Sequence, residues 1–239
     1  LRPLWPNIEA ALRWMEVHGD RDGDGFLEYG RMTESGLANQ GWKDSWDSVS
    51  NADGTLAKGP IALCEVQAYA YAALLAGARI ARALGLPPGR AQGLEERAEA
   101  LRERFEAAFW CDDLGTYALA LDGAKRPCRV RSSNAGHVLL GGIASPERAA
   151  CVARQLLGGT FHTGWGIRTL ATTEKRYNPM SYHNGSVWPH DNALIGLGLA
   201  RYGHGAGAAR VLEGLAAAAS KLELRRLPEL FCGFPRRSG

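Results

Sequence analysis

The chain has 239 residues, enough to bury a core of its own, and its 46% hydrophobic and 22% charged residues are ordinary globular usage, which excludes disorder as the default. A formal net charge of only +3, with Lys and Arg dispersed along the chain, speaks against nucleic acid as a partner. The sequence carries neither a secretory h-region nor an uncharged apolar run of about 18 residues, so neither export nor membrane spanning is read from it.

Near the start, GDRDGDGFLEY sets Asp20, Asp22, Asp24 and Gly25 at the first six positions of a DxDxDG calcium loop. Arg31 stands at the twelfth position, where a bidentate Glu belongs, so a working EF-hand is excluded; Glu28 at the ninth position could compensate. The competing account is a turn whose aspartates bond their own backbone.

The next stretch, NQGWKDSWDSV at residues 39–49, mixes Trp42 and Trp46 with Asp44 and Asp47 and has neither a helical nor a strand period. Core tryptophans normally sit inside a periodic apolar pattern, whereas these have glycine, serine, lysine and aspartate as neighbours. Aromatic faces edged with polar groups suit a sugar, whose C–H face packs on a ring while its hydroxyls seek carboxylate, amide and ammonium groups. Glycosidic cleavage also needs a carboxylic acid to protonate the leaving oxygen, and apolar faces around a carboxyl favour its protonated form. Asp44 or Asp47 could serve as that acid.

Residues 60–84 are apolar on nearly every side and are stopped by Gly85, Pro87 and Pro88, which predicts an enclosed helix. Residues 92–110 instead repeat Leu94, Ala98, Leu101, Phe105 and Ala108 at steps of four and three, which predicts a helix with one wet face. TYALAL at 116–121 alternates weakly and runs into Asp122-Gly123, a hairpin signal. Ser145 and Pro146 form an N-cap and first turn for an outer helix to about Leu157.

YNPMSYHNGSVWPHDNAL at 177–194 gathers Tyr182, His183, Asn184, Trp188, His190, Asp191 and Asn192 ahead of an apolar helix at 187–202. For any one of these residues helix capping is the simpler account, but their density suits a sugar-binding wall. Metal ligation by His183, His190 and Asp191 is disfavoured because no HxH or HExxH spacing is present. An Ala-rich helix follows at 206–222. The glycines of GHGAGAA lie between helices with no strand before them and are no dinucleotide loop. In RLPELFCGF at 226–234, Glu229 lies among apolar residues in a loop bounded by Pro and Gly, where burying a carboxylate is costly without a purpose; a glutamate at a helix start is the plainer alternative. Cys64, Cys111, Cys128, Cys151 and Cys232 form no CxxC pair and read as thiols of a reducing, cytoplasmic compartment.

About seven helices, alternately enclosed and half-exposed, predict an all-α fold of two concentric layers, an α/α toroid with a small β-hairpin and long functional loops at one rim. Taken together, DRDGDGFLEY, NQGWKDSWDS, LCEVQAYAY, SSNAGHVL, NPMSYHNGSVWPHDNALI and LPELFCGF resemble, in this order and through almost the whole chain, the (α/α)6-barrel glycoside hydrolases. The branch they resemble holds glycogen debranching enzyme, amylo-α-1,6-glucosidase and mannosylglycerate hydrolase, and is similar to family 63 glucosidases.

The resemblance implies an inverting hydrolase of α-glycosidic bonds of the debranching type, with Asp44 as acid, Glu229 as base and Asp47 as a sugar-binding neighbour. It places Trp42, Lys43, Trp46 and Gln67 on the glycone pocket, joined there by His183, Asn184, Trp188, His190 and Asp191. The expected ligand is an oligosaccharide or small glycoside, with no cofactor beyond the calcium that Asp20, Asp22, Asp24 and Glu28 could hold. Residues 1–239 are then one catalytic domain with a partial barrel, expected to be a fragment without the family's N-terminal β domain and closing helices. A non-catalytic sugar-binding α/α module and another sugar-active enzyme on this barrel, such as an epimerase, are the alternatives.

Overall fold

The computed structural model describes residues 1–237. Seven α-helices occur among them: α1 (Trp5–Trp14), α2 (Cys64–Ala83), α3 (Pro88–Phe109), α4 (Asn134–Gly141), α5 (Pro146–Leu156), α6 (Pro189–Arg201) and α7 (Gly205–Lys221). The sequence pattern delimited five of them. It did not delimit α1, or α4, whose eight residues are too few for a clear period.

Helices α2, α4 and α6 form the inner layer and pack in that order, α2 on α4 and α4 on α6, while α3 covers α2, α5 meets α4 and α7 lies on α6. The inner helices approach closely because small residues face each other. A Cβ on Gly141 would meet the Ala68 carbonyl oxygen at 2.6 Å, and one on Gly198 would meet the Gly136 carbonyl at 2.8 Å. Outer helix α3 buries Ala91, Leu94, Ala98, Leu101, Phe105 and Phe109, the stripe that its period predicts with Phe109 in place of Ala108. The Ser145 cap is present, its hydroxyl accepting from the Arg148 amide at 3.3 Å. Helix α6 differs from the prediction of an enclosed element. Leu197 is 60% exposed, so one face of this inner helix is open.

The four short strands are β1 (Ala62–Leu63), β2 (Trp110–Cys111), β3 (Thr116–Tyr117) and β4 (Ala120–Leu121). TYALAL pairs across the predicted turn, Leu121 opposite Pro127, and also with two further strands. Its first half pairs back on β2 and its second half on β1, both antiparallel. The Asp122-Gly123 turn does reverse the chain, since the Asp122 amide donates to the Arg126 carbonyl at 3.0 Å and the Cys128 amide to Ala120 at 2.8 Å. Strand β1 is also why α2 begins at Cys64 and not at residue 60. All five cysteines are free thiols, and no described helix is long and apolar enough to cross a membrane.

Candidate active site

Three segments, residues 39–48, residues 182–190 and the loop of Glu229, meet beside α2, α4 and α6. The first, residues 39–48, is folded on itself by side chains. The Asn39 amide donates to the Ser45 carbonyl at 2.8 Å, and the Ser48 hydroxyl donates to the Lys43 carbonyl at 2.5 Å. Lys43 then reaches under the loop and donates to the Thr169 carbonyl at 2.7 Å. These bonds turn Trp42 inward and leave Asp44 exposed.

Trp42 is the hub of an aromatic cluster. Its ring stacks on His137 at 5.6 Å and 10° between planes, and meets His183, Trp188 and His190 edge-on at 5.6, 5.9 and 5.0 Å. Trp188 and His183 stack at 4.9 Å, and Tyr182 packs on both. Beneath the floor lies a buried polar layer. His137 and Asp191, both 0% exposed, are joined Nε2 to Oδ1 at 2.7 Å, and the Tyr69 hydroxyl meets the other ring nitrogen of His137. Glu65 is buried in the same layer. Its carboxylate and that of Asp191 oppose the desolvation that lowers the Lys43 pKa to about 8.

The third segment carries Glu229. Val187 and Phe231 exchange two backbone hydrogen bonds, at 2.8 and 3.0 Å, and buried Arg168 donates through Nε to the Gly233 carbonyl at 2.7 Å. Gly233 admits no side chain, because a Cβ there would overlap the Gly185 carbonyl oxygen. Glu229, two residues before this anchor, accepts a 3.0 Å hydrogen bond from the Tyr182 hydroxyl. That bond, with the charges of Glu229 and Asp44 behind it, raises the Tyr182 pKa, so both carboxylates bear on one phenol.

Most residues singled out from the sequence converge here, with four changes of position or role. Gln67 is fully buried, and its amide bonds both the N–H and the C=O of Leu27 and the Leu63 carbonyl; it fastens the Asp-rich loop to α2 and offers nothing to a ligand. Asp47 turns away from the aromatic floor and accepts from Asn184 at 3.1 Å and Arg176 at 3.3 Å, so Asp47 and Asn184 brace the loops against each other. Trp46 is 69% exposed and outside the cluster, which leaves Trp42 as the platform. Asp44 lacks the apolar enclosure foreseen for it. His137, Tyr69 and Glu65 were not singled out. Two of them sit in the quoted LCEVQAYAY stretch and one in SSNAGHVL, where a single polar residue on an apolar helix reads as core.

His183 is held neutral. Burial lowers its pKa to about 4, aided by the nearby Lys43 charge. Its Nδ1 lies 2.8 Å from the Ser45 hydroxyl and accepts the Ser45 amide at 3.4 Å, which assigns the proton to Nε2. That Nε2 and the Trp42 indole N–H have no protein partner. The Asp-rich loop lies elsewhere. Single ligand oxygens of Asp20, Asp22 and Asp24 come within 4.8 Å of one another, and the Lys125 ammonium pairs with Asp22 and Asp24.

The family model for the mannosylglycerate hydrolase MGH1-like glycoside hydrolase domain matches residues 1–232. A curated relative, mannosylglycerate hydrolase MGH1 of Selaginella moellendorffii, is 36% identical over 73 residues, which is 30% of this chain and 15% of that protein. Among solved structures, the GH63 mannosylglycerate hydrolase of Thermus thermophilus in complex with Tris superposes with a TM-score of 0.72 at 20% identity, over 98% of this chain and 65% of that one. The same enzyme in complex with glucose gives 0.60 at 23% identity, over 73% of this chain and 40% of that one. The chain therefore spans less than two thirds of the length of these relatives, and the likeness fixes its helices as part of an (α/α) toroid.

Proposed function

The chain belongs to the mannosylglycerate hydrolase MGH1-like glycoside hydrolase family, and we propose that it hydrolyses a small α-glycoside with inversion, using Asp44 as the acid and Glu229 as the base. The observation that supports this reading is the Tyr182 hydroxyl, bonded to the exposed Glu229 at 3.0 Å and with its pKa raised in part by the charge of exposed Asp44. In this scheme Asp44 protonates the leaving oxygen while Glu229 takes a proton from the water that attacks the anomeric carbon. The two carboxyl groups then stand about 6.5–9.5 Å apart in the substrate complex to admit that water. The sugar rests on Trp42, with His190 and Tyr182 at its sides.

The relatives' names make mannosylglycerate the first substrate to test, with an α-1,6-linked glucoside of the debranching type beside it. Proton NMR of the freshly released sugar reads both turnover and anomeric outcome. Asp44→Asn and Glu229→Gln should each lower kcat by about 10²–10⁴-fold with an unchanged melting temperature, as for a general acid and base on the surface. Retention of configuration, or variants as active as the parent, overturns the assignment. Calorimetric binding of a glycoside without hydrolysis would make the domain a sugar-binding module.

A further inference from the structure

The Asp-rich loop is an acidic pocket closed by a residue from another part of the fold. Asp20 is spent on the loop's own backbone, accepting from the Gly23 and Gly25 amides at 2.8 Å each. Asp22, Asp24 and Glu28 instead converge on the Lys125 ammonium at 2.9, 2.7 and 2.8 Å. An ammonium has three donors, and each is taken by a different carboxylate. Glu28 nevertheless keeps a second oxygen, Oε1, without a partner, although its side chain is only 1% exposed. A cation that takes six to eight oxygens would satisfy it, and an ammonium cannot.

Lys125 itself holds a left-handed backbone, φ 59°, in the turn after β4, with its amide donating to the Asp122 carbonyl at 2.8 Å. A side chain is disfavoured in that conformation and glycine is not, yet a lysine stands there and makes three ion pairs. Burial works against the charge, but the three carboxylates prevail and hold the Lys125 pKa above its ordinary value.

We propose that Lys125 is a tethered cation in the metal position of this DxDxDG loop, so that the loop's order needs no calcium and removal of the ammonium opens a latent calcium site formed by Asp22, Asp24 and Glu28. The lysine links the loop to the turn after β4 and, through Leu27 and Gln67, to the inner helix α2.

Calcium chloride and EDTA are the probes, with thermal melting and amine acetylation as readouts. The parent chain should melt at the same temperature with either, and Lys125 should acetylate more slowly than the exposed Lys175 at a rate that calcium leaves unchanged. Lys125→Met and Lys125→Gly should melt several degrees lower and regain that loss, saturably, in calcium. Calcium that stabilises the parent or speeds acetylation of Lys125 overturns the tethered-cation assignment, because a metal would then be displacing the ammonium. Variants that melt like the parent, or that calcium restores neither in folding nor in melting temperature, overturn the latent site.

Discussion

Gln67 and Tyr182 show how differently two polar side chains of one motif set can be used. The Gln67 amide is enclosed and replaces a stretch of sheet by bonding both backbone groups of Leu27. Gln67→Ala should therefore cost about 1–3 kcal/mol, the price of leaving buried groups unpaired, and leave KM unchanged; a denaturant titration beside a steady-state assay separates the two. The Tyr182 hydroxyl is exposed and bonded to Glu229. Tyr182→Phe should leave the melting temperature unchanged and lower kcat by about tenfold, the size of one hydrogen bond to a charged group. Loss of stability without loss of turnover would reverse these roles. Position in the sequence does not separate the two, because burial decides whether an amide or a phenol faces protein or solvent.

Among the elements, the close approach of α2, α4 and α6 depends on glycine. Gly141→Ala would press a methyl group on the Ala68 backbone and Gly198→Ala on that of Gly136. Each should destabilise the chain by about 1–3 kcal/mol in urea unfolding, as overpacking does. Ser145→Ala removes one side-chain cap from α5 and should cost about 1 kcal/mol. Equal and negligible losses at all three positions would mean that the helices can slide apart. The outer helices were legible because a half-wet surface writes a period into the sequence; α4, short and buried except at Leu140, has no polar side to mark its phase. The partners of the β segments were illegible for a related reason. Two-residue strands carry too little alternation to name their partners, and only packing paired TYALAL with both Trp110–Cys111 and Ala62–Leu63.

For the molecule as a whole, three buried bases set the response to pH. Burial is the first cause that lowers both His162 and His183 to about 4 from an ordinary 6.5, with nearby Arg or Lys charge adding to it. The unfolded chain takes up these protons first, so their contribution to stability is complete above pH 6.5 and is lost as pH falls toward 4. Lys43, lowered to about 8 from 10.5, favours the folded state increasingly as pH rises from 8 to 10.5. Melting temperatures should therefore fall between pH 6.5 and 5, where ordinary carboxylates remain ionised, and replacing both histidines by Asn should flatten that limb. A melting temperature constant through this window would contradict the burial of the two rings as neutral bases.

The sequence by itself determined the family, the helical class and the segments that build the site, because apolar periods, punctuation by Gly and Pro, and the order of six motifs are local properties of the chain. It did not determine which polar residue faces the aromatic floor. Asp44 and Asp47 are three residues apart in one loop, yet one is free at the rim and the other is bound by Arg176 and Asn184. Nor could the DxDxDG spacing announce that its cation arrives from Lys125, a hundred residues on in the chain. Such choices belong to the tertiary structure, since a carboxylate's role follows from the partners and the solvent that the fold brings to it.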